Sequence, residues 1–150
     1  MGETYWPEPG PHLAHRCFRT SDLVELRDGL VFLRGRASDQ INVAGRKVSP
    51  ESIERVLLAH PAVSDCLVFG APSADEGRGD DVVAFVVPAE RVTEDLLRDW
   101  LHERVPAWQI PRSWRFVETL AVNERGKISR AEWREKHLTV RESRESRAGQ

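Results

Sequence analysis

Lys127 lies between Gly126 and Ile128, just ahead of a stretch with a helix-start pattern. An ammonium on a flexible stem is a point charge that can reach phosphoryl oxygens, and it helps most where their charge grows during a reaction. Taken alone, a lysine in that place is usually just solvated. The pattern is not a P-loop: no glycine stands five residues before Gly126, and Ile128 replaces the Ser or Thr that would reach Mg2+. Asp22 is a second candidate, because a carboxylate only accepts hydrogen bonds and can take two donors at once. A single aspartate near a turn is otherwise a cap or a solvated charge. Other reactive residues carry less. His12 and His15 have no companions at metal-ligand spacing, and no residue is assigned to a metal. Cys17 and Cys66 lie far apart and read as two free thiols. Arg78-Gly79-Asp80 spells an adhesion tripeptide by chance, and the tryptophans at 100, 108, 114 and 133 read as core or rim, without a base-stacking pattern.

The elements that must hold these side chains follow from periodicity and turn chemistry. Residues 1–16 carry three prolines and read as an extended arm. Phe18 to Arg34 is a hairpin turning at Arg27-Asp28-Gly29, and Gln40 to Val48 is a second, turning at Ala44-Gly45. Ser49 caps a helix with Pro50 at its first position and with Ile53, Val56, Leu57 and His60 on one face; His60-Pro61 ends it. Val63 to Phe69 and Val82 to Val87 are strands, separated by a charged loop. Thr93 caps a second helix whose buried stripe is Leu96, Leu97, Trp100 and Leu101. Trp114 to Val117 is a third strand after the loop between Pro106 and Pro111. Asn123 to Lys127 is turn-like. Ser129 and Glu132 then have capping-box spacing, opening a short helix to about His137, and the tail from Leu138 is read as solvated and mobile. The fold class is α+β: a small sandwich of a central three-stranded sheet with helices packed on it, plus N-terminal β-hairpins.

Three ordered segments carry a resemblance to the acyl-adenylate-forming superfamily, which includes acyl-CoA synthetases, nonribosomal-peptide adenylation domains and luciferases. Phe18-Arg19-Thr20-Ser21-Asp22-Leu23 resembles a family segment with glycine where Ser21 stands. Gly35-Arg36 through Pro50-Glu51, with Ser52-Ile53-Glu54 after it, is similar to the family's most specific signature, Ser52 standing where a glutamate is usual. Leu120 to Arg130 resembles a third, with Ala121 and Asn123 in place of proline and threonine. The resemblance implies that Asp22 binds the ribose hydroxyls of ATP and that Arg36 approaches the nucleotide. Ser38 takes the hinge position, usually Asp or Lys, about which the small domain rotates between half-reactions. Gly45 lets the pantetheine arm of coenzyme A or a carrier protein pass, besides making its turn. Lys127 becomes the catalytic lysine, bridging the attacking carboxylate and the α-phosphate.

By the same resemblance, residues 1–34 derive from the end of a large adenylating domain, 35–137 form the small C-terminal domain, and 138–150 are a disordered tail. ATP or AMP and Mg2+ would bind only with a partner large domain, with coenzyme A or phosphopantetheine as a further ligand. No Ser/Thr/Gly-rich phosphate loop occurs in the 150 residues, so the chain alone is not expected to adenylate anything. Three readings stay open: a stand-alone ligase subunit supplying Lys127 in trans to a separate large domain, a non-catalytic module binding an acyl carrier protein or partner enzyme, and an excised piece of a longer enzyme. A homodimer would also cover an apolar docking face. The formal charge of −2 provides no field for nucleic acid, no stretch has the length of a membrane span, and the first residues lack a signal peptide's apolar core. A cytoplasmic setting is expected.

Overall fold

A computed structural model describes residues 13–14, 17–18, 20–75, 77–122 and 126–148. Of the 1–16 arm only Leu13 and Ala14 are described; the rest of that expectation, with those for His12 and His15, for Arg19, for the Cys17 side chain and for the start of the 123–127 turn, lies outside the described residues. The chain divides into two compact units, Met1–Ser38 and Asp39–Gln150.

In the first unit β1 (Leu13–Ala14) pairs antiparallel with β2 (Cys17–Phe18). The main hairpin is β3 (Asp22–Arg27) with β4 (Leu30–Arg36), joined at Asp28-Gly29, where φ is 51° and 76°. Two successive left-handed residues match the twist of the flanking strands, and Asp-Gly accepts that geometry at little cost. Val24, Leu26, Leu30, Val31, Phe32 and Leu33 are all exposed, Leu26 to 74%.

The second unit is built on a three-stranded sheet. β5 (Ile41–Val43) and β6 (Arg46–Val48) form the next hairpin, after a 3-10 turn at Ala37–Asp39. Then come α1 (Pro50–Leu58), β7 (Val63–Pro72), β8 (Asp80–Pro88), α2 (Glu94–His102) and β9 (Ser113–Phe116). β8 lies in the middle, antiparallel to β7 and parallel to β9. The chain closes with α3 (Arg130–Ala148).

Strand alternation sends side chains to two cores. Cys66 and Val68 of β7 join Ala84 and Val86 of β8 on one face, under Ile53 and Leu57 of α1, Leu97 and Leu101 of α2, and the β5–β6 hairpin residues Ile41, Val43 and Val48. Leu67, Phe69, Ala71, Val83 and Phe85 point to the other face, where Ile128, Trp133 and Leu138 cover them. With both faces covered, Val82 to Val86 is a continuous apolar run rather than an alternating one. Trp100 Nε1 donates to Val56 O at 2.8 Å and so ties α2 to α1.

The α+β sandwich and both hairpins agree with the reading from sequence, while several details differ. The last helix runs to Ala148 instead of stopping near His137. The Arg/Glu-rich segment after Leu138, read as mobile for its polarity, has good helix propensity and extends a helix that already exists, so no new nucleus is needed. Leu96 is 55% exposed and not part of the α2 stripe. His60 lies just past α1 and meets the Trp100 ring edge-on at 5.0 Å. Thr93 caps α2, its hydroxyl accepting from Leu96 N. Ser49 sits at the N-cap of α1, yet its hydroxyl donates to the Glu51 carboxylate rather than accepting from the backbone.

Cys66 is buried, and burial, with the nearby Glu54 and Asp65 carboxylates, pushes its thiol up to about 12. Alkylation of Cys66, followed by mass spectrometry of its peptide, should therefore be negligible in the native protein and should appear only as urea unfolds it. Rapid labelling of the folded chain at Cys66 would contradict this packing.

Candidate functional site

Asp22 and Arg36 are brought together at one end of the main hairpin. They are register partners across β3 and β4, and Arg36 Nε lies 3.4 Å from Asp22 Oδ1. Asp22 N is held by Thr20 Oγ1 at 3.3 Å, and Ala37 N donates to Ser21 O at 2.9 Å. Serine is accommodated in place of glycine here, because the only described non-glycine residues at positive φ are Asp28 and Ala44. Asp22 keeps 33% side-chain exposure, which leaves its carboxylate able to accept from a ligand.

Gly45 lies at the exposed tip of the β5–β6 hairpin with φ of 79°, after Ala44 at 51°. The tip is held from below. Ala44 N donates to Arg78 O at 2.6 Å, Asn42 N to Asp80 Oδ2 at 3.1 Å, and Val43 bridges to Gly79. Gly79 must lack a side chain, since a Cβ there would stand 2.8 Å from Asn42 O. The Arg78-Gly79-Asp80 tripeptide thus has a structural task. Around Gly45 itself a Cβ would meet nothing within 4 Å. The space above this turn is open, and only the backbone conformation resists a larger residue. Gly45→Val should lower stability by about 1–2 kcal/mol in urea unfolding, the cost of a β-branched residue held at left-handed φ. No loss would mean that the turn has relaxed to another type.

Lys127 is exposed, with anchors around it. Leu120 is buried at 6% on one side, and on the other Ile128 packs into the core shared with Phe69 and Phe85. The Ser129 hydroxyl accepts from Glu132 N at 3.4 Å, as the capping spacing predicts, and Trp133 Nε1 donates back to Ala121 O at 3.3 Å. Lys127 is therefore an exposed residue on a segment braced from both sides.

Arg130, three residues on, has no role that the sequence alone assigns, and the geometry singles it out. Its Nη2 lies 2.7 Å from Glu54 Oε2, its Nη1 3.1 Å from Glu51 Oε1 and 3.3 Å from Asp39 Oδ2, and its Nε donates to Val68 O at 3.2 Å. Glu54 Oε1 also accepts from Val68 N at 2.8 Å. One guanidinium thus joins the start of α3 to α1, to β7 and to the residue directly after Ser38. Burial pushes the Glu54 carboxyl up, against the pull of the Val68 amide and the Arg130 guanidinium. The signal was present in sequence as an arginine in one motif and glutamates in another, without anything to say that they meet. Among the described residues no group of three or more His, Cys, Asp or Glu could hold a metal ion, and no helix is long and apolar enough to cross a membrane.

Comparison with known proteins gives this arrangement a context. A family model described as the AMP-binding enzyme C-terminal domain matches residues 52–127. The chain is similar to the 2,3-dihydroxybenzoate-AMP ligase of Bacillus subtilis, with 40% identity over 121 residues, covering 79% of this chain and 22% of the relative. It is equally similar to the fatty acid–[acyl-carrier-protein] ligase ScoC of Streptomyces coeruleorubidus, 40% identical over 111 residues, 73% of this chain and 21% of that one. The o-succinylbenzoate CoA synthetase of Bacillus subtilis, solved with its acyl-adenylate intermediate, superposes with a TM-score of 0.78 at 28% identity, over 87% of this chain and 28% of that one. The chain spans about a fifth of the length of the curated relatives it matches.

Proposed function

The chain belongs to the AMP-binding enzyme C-terminal domain family, and from that premise we propose that it acts as the small domain of an AMP-forming acid–thiol ligase, supplying Lys127 and the Gly45 hairpin in trans to a large adenylating domain on another polypeptide. In the first half-reaction a carboxylate oxygen attacks the α-phosphorus of ATP, the acyl-adenylate forms and pyrophosphate leaves. Lys127 stabilises the charge that grows on the phosphoryl oxygens and bridges them to the attacking carboxylate. Asp22 accepts hydrogen bonds from the ribose hydroxyls, and Arg36 lies beside the nucleotide. Mg2+ enters with ATP on the large domain. Rotation about Ser38 then presents the β5–β6 hairpin, and the thiol of coenzyme A or carrier-bound pantetheine passes over Gly45 to attack the acyl carbonyl and release AMP.

The observation that carries this reading is the exposure of Lys127 on a segment braced by Ile128 and by the Arg130 cluster. A protein partner is further supported by the six exposed apolar side chains of the β3–β4 hairpin, a surface that a large domain would cover. The cytoplasm, where ATP and reduced thiols coexist, is the setting we infer.

ATP–pyrophosphate exchange tests the reading. It should be absent with this chain alone and should appear when a large adenylating domain lacking its own small domain is added. Failure of any such mixture to exchange, together with retention of an acyl carrier protein in a pull-down, would favour the binding-module alternative.

A further inference from the structure

Ile41, Val43 and Val48 pin the base of the β5–β6 hairpin in the core, each no more than 4% exposed, whereas Ala44 and Gly45 project beyond it. What fixes the direction of that tip therefore lies outside the core. Ala44 N donates to Arg78 O at 2.6 Å, and Val43 bridges to Gly79. Both partners belong to the connection between β7 and β8, which carries left-handed glycines at 77 and 79. A turn of that kind can brace a hairpin only if it is itself held.

Two adjacent carboxylates at the start of β8 hold it, and strand alternation sends them to opposite faces. Asp80 Oδ2 accepts from Asn42 N at 3.1 Å and ties β5 directly to the strand. Asp81 takes the turn. Its Oδ1 lies 2.7 Å from Arg78 Nε, and its Oδ2 accepts from the Ser73 hydroxyl at 2.8 Å. Arg112, just before β9, adds a second clamp, its Nη1 lying 2.5 Å from Asp75 Oδ2 and 3.5 Å from Asp81 Oδ1. Ser73 N donates to Gly79 O at 2.9 Å and closes the turn. Arg78 is where these supports meet the hairpin. Its side chain is anchored to β8 and keeps only 20% exposure, while its carbonyl receives the Ala44 amide.

We infer that Arg78 is a positioning residue for thiol transfer, acting through the Ala44 amide on the tip over which the thiol approaches. This role rests on the Gly45 hairpin serving the thiol, as proposed above. In that step the sulfur–carbon bond forms and the bond from the acyl carbon to the AMP phosphate oxygen breaks. AMP leaves with the electron pair, and the thiol proton passes to solvent. Arg78 contributes by keeping the tip in one place, where a shift of about 1 Å can cost on the order of 10²-fold in rate. Adenylation instead depends on Lys127, on a different segment, so the two half-reactions should respond differently when the Arg78 anchor is lost.

Arg78→Met keeps the carbonyl and the aliphatic stem but removes the anchor. In the chain alone, hydrogen exchange at the Ala44 amide, followed by NMR, should become about tenfold faster, as expected for loss of one charge-assisted contact. With a large adenylating domain carrying preformed acyl-adenylate, AMP release on adding pantetheine should slow about tenfold, while ATP–pyrophosphate exchange stays within about twofold of the unsubstituted chain. Arg78→Lys should recover part of the thiol-transfer rate, because a cation can still reach Asp81. Asp81→Asn weakens the same anchor from the strand side and should give the same pattern, which decides the matter if Arg78→Met impairs folding. Unchanged protection of the Ala44 amide, or equal losses in both half-reactions, would overturn the positioning role. If the unsubstituted chain supports no exchange at all, the reading beneath it fails and the role in thiol transfer falls with it; the Ala44 amide still decides whether Arg78 braces the tip.

Discussion

Lys127→Ala is expected to reduce the reconstituted ATP–pyrophosphate exchange rate by a factor on the order of 10²–10³, the usual effect of removing one donor aimed at transition-state charge. The loss should fall on kcat, with KM for ATP and for the carboxylate little changed, because the charge that Lys127 meets is largest on the way to the adenylate. Stability should not move beyond about 0.5 kcal/mol, since an exposed side chain outside the core contributes little. That separation matters: an inactive but equally stable variant points to chemistry, whereas an inactive and unstable one points to misfolding. Lys127→Arg should recover only part of the rate, because a planar guanidinium cannot replace a compact ammonium at a shared contact between two anions. An unchanged exchange rate in Lys127→Ala would remove the catalytic assignment while leaving the family membership intact.

Much of this arrangement is legible in the linear sequence because it depends on local rules. Asp28-Gly29 and Ala44-Gly45 announce their turns through backbone preference alone, and the left-handed φ values at all four positions bear them out. Thr93 announces its cap in the same way. What the sequence hides needs three-dimensional convergence. The contact between Arg130 and Glu54 spans 76 positions and that between Arg130 and Asp39 spans 91, beyond the reach of any periodicity. Leu96 fits a helical stripe as well as Leu97 does, and only the placement of α2 against α1 and the sheet decides which is covered. The contact of Arg141 with Pro72 is hidden for a further reason. The segment holding Arg141 looks like a solvated tail until a helix carries it back to Pro72. The three motif segments thus name the residues of the adenylation reading, and the fold supplies the reason that some of their other residues belong with them.

Arg130→Met is the second large effect, and it should appear in stability. The Arg130 side chain keeps 24% exposure and Glu54 only 13%, so removing the guanidinium strands a mostly buried carboxylate beside Glu51 and Asp39. Breaking such a pair from one side costs about 3–5 kcal/mol when it is fully buried. The residual exposure here argues for the lower end, about 3 kcal/mol by urea denaturation. Much of that cost is the uncompensated charge rather than the worth of the pair, so Glu54→Gln in the Arg130→Met background should recover part of the loss. A double-mutant cycle then gives a coupling energy of about 0.5–3 kcal/mol. A change below about 0.5 kcal/mol in Arg130→Met would mean that the cluster is solvated and holds nothing. The same variant links fold to function. Arg130 joins the residue after Ser38, the α1 glutamates and the first turn of α3, three residues from Lys127. Below its unfolding temperature, Arg130→Met should therefore still lose exchange activity, and Arg130→Lys should retain more of it, because a cation without the fork preserves some of the charge balance but not the placement.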